Sequence, residues 1–140
     1  DTSFIPWSAA RIAGVNVDDY LKMMPQLGKE AKELDKEAML TYVQKSGGKI
    51  IANKGATFYA VTRGVCRLCS ILMSASESVT TVSSMMHGEY GIEDVCLSTL
   101  ALVGPNGIQG KIPMALTEEE VGKLKASADA LKAVIAQIEL

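Results

Sequence analysis

A single histidine, a single tryptophan, three cysteines and an aromatic share of 5% leave this 140-residue chain with little of the equipment that most catalytic or metal sites use. The odd cysteine count, with no apolar signal segment, argues against a secreted disulfide framework and favours a reducing, cytoplasmic setting. Cys66-Arg67-Leu68-Cys69 has the spacing of a redox pair or half a zinc site, but it falls in mid-helix, and only Cys96 and His87 are left to complete a metal shell. Plain buried packing is expected of these thiols, and no metal. His87 has no Asp or Ser motif beside it and reads as a solvated or strand-end residue.

Long hydrophobic runs are also lacking. Val95 to Val103 is far shorter than the ~20 residues a bilayer requires, so no membrane segment is expected. Charge of one sign is not in excess either: 14 Lys plus Arg stand against 16 Asp plus Glu, a net −2 that gives no overall basic bias for nucleic acid. Gly104, Gly107 and Gly110 sit around a turn and not between a strand and a helix, which removes them as a phosphate cradle. The text opens on Asp1 without an initiator Met, and a piece of a longer polypeptide is the expectation.

What the chain does have is a globular balance, 48% apolar and 21% charged, in a length suited to one domain. Ser3 to Trp7 and Arg11 to Val17 read as two short strands. An Asp N-cap in Val17-Asp18-Asp19-Tyr20 opens a short helix that Pro25 and Gly28 stop. Lys29 to Lys45 predicts a helix, with Ala31, Leu34, Ala38 or Met39, and Tyr42 on one face. Ser46-Gly47-Gly48 predicts a kink or break, because each glycine costs about 1 kcal/mol relative to alanine inside a helix. Ala56 to Met73 is apolar on nearly every side and predicts a buried helix.

Val79 to Met86 and Val95 to Val103 predict neighbouring strands, and the turn Pro105-Asn106-Gly107 makes an antiparallel hairpin of Val95–Val103 with Ile108–Met114. Thr117 and Glu120 have capping-box spacing, and Val121, Leu124, Ala128, Leu131, Ile135 and Ile138 trace the apolar seam of a final helix. The runs Lys29–Lys36 and Glu118–Glu120 read as solvated helix faces. The fold class is therefore α+β: a twisted antiparallel sheet, with the hairpin near 95–114, and long helices packed on one face.

Asp1-Thr2-Ser3-Phe4-Ile5-Pro6-Trp7-Ser8, Lys54-Gly55-Ala56-Thr57-Phe58-Tyr59-Ala60, Gly88-Glu89-Tyr90-Gly91-Ile92 and Leu116-Thr117-Glu118-Glu119-Glu120 follow one another in order. In that order and spacing the chain resembles the C-terminal substrate domain of the L-lactate/L-malate dehydrogenases. The Trp7-Ser8 ending is similar to the lactate branch. The resemblance covers the whole chain as one domain and implies reversible hydride transfer between NAD and a 2-oxo or 2-hydroxy acid, in a homo-oligomer (dimer or tetramer). It also implies that the dinucleotide domain, the arginines that hold and polarise the substrate and the proton-exchanging His, two residues before Asp1, all precede this stretch, so that no catalytic residue lies in it. The malate type, or a noncatalytic α+β interaction module, is the alternative.

Two residues match family positions at the pocket. Thr57 corresponds to the threonine beside the substrate and Val61 to the apolar residue against the nicotinamide ring. Their ordinary alternatives are a helix cap and a core valine. Many relatives place two small residues and a Tyr where Ser46-Gly47-Gly48 stand, so Ser46 and Gly47 are expected to shape a wider pocket for acids bulkier than pyruvate.

Overall fold

The computed structural model describes residues 2–30 and 33–138. Asp1 and Ala31, named above, lie outside the described residues. Ser3 to Pro6 forms no strand. Pro6 lacks an N–H for pairing, and Trp7–Ala9 winds into a 3-10 turn instead. Arg11–Ile12 (β1) and Val15–Asn16 (β2) form a minimal antiparallel hairpin, folded over Ala13 and Gly14, both at positive φ. The first helix, Val17–Met23 (α1), is capped by Asn16, whose side chain accepts from the Asp18 N–H at 2.9 Å. The expected aspartates occupy its first turn, where they oppose the helix dipole.

The second helix, Lys36–Lys54 (α2), starts later than expected. The Asp35 carboxylate caps it by accepting from the Ala38 N–H at 2.8 Å. No break occurs at Ser46-Gly47-Gly48; the helix runs through them and stops at Gly55, whose φ of 79° is left-handed. Tyr59–Leu72 (α3) follows, and here burial was overestimated. Only Ile71 is buried and Leu68 half-buried, while Val61 and Val65 are 62% and 55% exposed. Cys66, Cys69 and Cys96 are likewise exposed free thiols, contrary to the expected buried packing.

Ser78–His87 (β3), Glu93–Gly104 (β4) and Gly107–Lys111 (β5) form the main sheet, antiparallel in the order β3-β4-β5. Strand β4 alternates as a one-sided strand should: Val95, Leu97, Thr99, Ala101 and Val103 are buried and the even-numbered neighbours Cys96 and Ser98 are not. The register places Thr99 beside Val82 and Ser84 beside Leu97 on that same face. The hairpin pairs Gly104 with Gly107, and a bulge at Gln109 shifts the register. The Ile112 N–H still reaches the Leu100 carbonyl at 2.8 Å, after which Pro113 has no donor to continue.

Two apolar clusters lie on the helix-bearing face. Ile71 and Leu68 of α3 pack on Ala101, Val103 and Val82. Ala128 and Leu124 of Glu118–Ile135 (α4) pack with Met86, Ile92, Val95, Leu97 and Tyr90. The α4 seam is buried only over its first half; Leu131, Val134 and Ile135 are exposed. Long helices do pack on one face, although α2 buries none of its residues.

Candidate functional site

Thr57 sits in the short connection from Gly55 to Phe58 that turns α2 into α3. The N-cap position of α3 belongs to Phe58, which makes no side-chain cap, so Thr57 does not serve as the helix cap. Its side chain is exposed. Lys54 holds this corner: its ammonium lies 4.4 Å from the Phe58 ring centre and 3.9 Å from that of Tyr59, and the two rings meet edge-on at 4.8 Å. This aromatic clamp escaped sequence reading; adjacent Phe58 and Tyr59, a few residues after a lysine, were its only signal.

Val61, in the first turn of α3, is far too exposed to be a core valine. It opens a shallow groove of about 400 Å³ with Gly64, Val65 and Leu68 of α3 and Thr80 and Thr81 of β3. Thr57 and Val61 thus share the α2–α3 corner. Ser46 and Gly47 lie further back along α2, Gly47 eight residues before the end at Gly55, or roughly 12 Å. The Ser46 hydroxyl donates to the Tyr42 carbonyl at 2.5 Å, folding the side chain back on its own helix. A methyl placed on Gly47 would meet no neighbour within 4 Å.

A larger cavity, about 560 Å³, takes in Ser84, Thr99, His87, Glu89, Tyr90 and Lys111, and none of the four expected site residues lines it. Thr99 is 5% exposed, and its hydroxyl and that of Ser84 have no hydrogen-bond partner among the described residues. His87 is exposed at the end of β3, as expected, and its N–H donates to Glu89 at 2.6 Å. No group of three metal-binding side chains comes together among the described residues. No helix among them is long and apolar enough to cross a membrane.

The reading of Glu118–Glu120 as a solvated face fails at Glu120, which is 8% exposed. The capping box is present: Thr117 Oγ1 accepts from the Glu120 N–H at 3.2 Å, and Glu120 Oε2 accepts from the Thr117 N–H at 3.0 Å. The same carboxylate also accepts from the Ser8 N–H at 3.0 Å, through Oε1, and from the Ser8 hydroxyl. Burial pushes its carboxyl up, and the hydrogen bonds from Ser8 and Thr117 outweigh this and hold it below the ordinary value. Ser8 is 112 residues away in sequence, so no local pattern announces the contact.

Taken together, a one-sided antiparallel sheet with two helices packed on it and an exposed polar–apolar corner at Thr57 and Val61 define an α+β domain. The chain belongs to the lactate/malate dehydrogenase family: the family model for the alpha/beta C-terminal domain matches residues 1–140. It is 35% identical over 140 residues to an L-lactate dehydrogenase of Acetivibrio thermocellus, covering 100% of this chain and 43% of that one. To L-lactate dehydrogenase 2 of Lactobacillus johnsonii it is 43% identical over 112 residues, 78% of this chain and 36% of the relative.

Among solved structures, an L-lactate dehydrogenase from Clostridium thermocellum superposes with a TM-score of 0.79 at 31% identity, over 96% of this chain and 42% of that one. A minor L-lactate dehydrogenase from Enterococcus mundtii gives 0.87 at 26% identity, over 100% and 43%. The chain therefore spans less than half the length of the relatives it matches.

Proposed function

We propose that this chain is the substrate-side domain of an NAD-dependent L-2-hydroxyacid dehydrogenase of the lactate type, which interconverts pyruvate and L-lactate. The observation that carries the reading is the 35% identity with an L-lactate dehydrogenase across all 140 residues. In this reading Thr57 borders the substrate. Its exposure and its freedom from a capping role support that assignment. Val61 presents an apolar surface suited to a flat ring, and the nicotinamide of NAD fits it; when bound, NAD supplies the hydride.

Ser46 and Gly47 set the breadth of the pocket. A dinucleotide-binding domain, with the proton-exchanging histidine and the substrate-holding arginines, precedes this domain in the same polypeptide. The enzyme works in the cytoplasm as a homo-oligomer, dimer or tetramer. The test is NADH oxidation by the protein extended to the length of its relatives, with pyruvate and oxaloacetate offered separately. Turnover with pyruvate is expected; turnover with oxaloacetate alone would move the assignment to the malate type, and none with either 2-oxo acid would overturn it.

A further inference from the structure

Cys66 and Cys69 are exposed free thiols three residues apart on α3, and nothing in the dehydrogenase reading uses them. A helix sets such residues with their Cα atoms about 5 Å from each other, inside the span of about 4.4–6.8 Å that a disulfide bridges. Their Cβ atoms stand about 5–6 Å apart, wider than the roughly 3.8 Å of a relaxed disulfide, so closing the bond requires this turn of α3 to tighten.

The surroundings of Cys66 are electropositive. It lines a shallow groove of about 530 Å³ along α3 with Thr62, Arg63, Arg67 and Ser70. Neither arginine has a carboxylate partner among the described residues. Oxidation by peroxide begins at a thiolate, and it concentrates on accessible cysteines in basic surroundings. Cys69, one turn on, is the thiol placed to follow. Cys96 is not, because it alternates with Val95 and Leu97 and so lies on the sheet face turned away from α3.

We propose that Cys66, set between Arg63 and Arg67, and Cys69 form a reversible oxidation site for hydrogen peroxide. The Cys66 sulfur attacks one peroxide oxygen, the O–O bond breaks, one water leaves and Cys66 becomes a sulfenic acid. The Cys69 sulfur then attacks the Cys66 sulfur, the S–O bond breaks and a second water leaves. The thiols give up two electrons and both their protons, and one peroxide becomes two waters. Leu68 lies inside the tightened turn and packs with Ile71 on the sheet, so the disulfide disturbs that apolar cluster. A bond closed against the helix geometry is easily reduced, which makes the step reversible.

The experiment uses the protein extended to the length of its relatives, carrying Cys96→Ser so that one thiol pair remains in this domain. It is reduced, treated with hydrogen peroxide, alkylated and mapped by peptide mass spectrometry. A link between Cys66 and Cys69 of one chain is expected, two hydrogens lighter than the free thiols and reversed by dithiothreitol, with Tm a few degrees below that of the reduced protein. Adding Cys69→Ser should stop the reaction at a sulfenic acid on Cys66, trapped by dimedone. Arg63→Gln combined with Arg67→Gln should slow formation of the link several-fold.

Both thiols still alkylated after peroxide, or linked only between two chains, would overturn the inference, and so would an unchanged rate in the arginine variant. If that variant fails to fold, the map of the Cys96→Ser protein decides alone. Masses and Tm are read without turnover, so this outcome is separate from that of the dehydrogenase reading.

Discussion

Glu89 ties the end of β3 to β5 with one carboxylate. Lys111 reaches from β5 to place its ammonium 2.9 Å from Glu89 Oε1, and it also donates to the Met85 carbonyl. The Lys111 hydrogen bond, followed by that from the His87 N–H, lowers the Glu89 carboxyl from its ordinary 4.5 to about 2. A carboxyl lowered in the folded state favours folding above its unfolded value, and the benefit fades as pH falls toward the folded one. For this group the window runs from 4.5 down to about 2. Glu89→Gln should therefore lower the urea midpoint at about pH 6, with the gap to wild type narrowing toward about pH 2.5. Equal gaps at both pH values would show that the charge plays no part.

At the scale of the element, α2 is the informative failure. Its glycine pair predicted a break, yet the helix continues to Lys54. Propensity is a weak local term of about 1 kcal/mol per glycine, and a cooperative run of hydrogen bonds carried on both sides outweighs it. Because a methyl at Gly47 has free space around it, Gly47→Ala should stabilise the protein by about 1 kcal/mol, read as a higher Tm. An unchanged or lower Tm would mean that this stretch is strained in a way the geometry does not reveal.

Other elements were legible for stated reasons. The Thr117–Glu120 box and the Pro105-Asn106 hairpin are local rules, in which residues a few positions apart meet by backbone geometry alone. Burial was not legible in the same way. The apolar composition of α3 predicted a core helix, but composition cannot say which apolar face meets the sheet, and only the Leu68–Ile71 side does. The site divides along the same line. Thr57 and Val61 are proposed from motif position, whereas the Lys54 aromatic clamp and the Ser8–Glu120 contact depend on tertiary placement that spacing does not encode.

At the scale of the molecule, the exposed Val61–Val65 side of α3 and the uncovered end of α4 show how much apolar surface this domain leaves outside its own core. In the proposed enzyme that surface is available to a pocket completed by other polypeptide. In the proposed enzyme the breadth of that pocket follows from α2. The Ser46 hydroxyl is turned back onto Tyr42 and Gly47 has no side chain, so neither residue fills space beyond the helix. Each methylene that a pocket admits or refuses changes discrimination by roughly 1–3 kcal/mol, and 2-oxoisocaproate carries a branched chain where pyruvate has a methyl. The full-length enzyme should therefore turn over 2-oxoisocaproate with kcat/KM within about a hundredfold of that for pyruvate. Gly47→Leu should widen the gap by refilling the space while leaving the rate on pyruvate nearly unaltered. A wild-type preference for pyruvate of several thousandfold would show that something other than α2 sets the pocket's size.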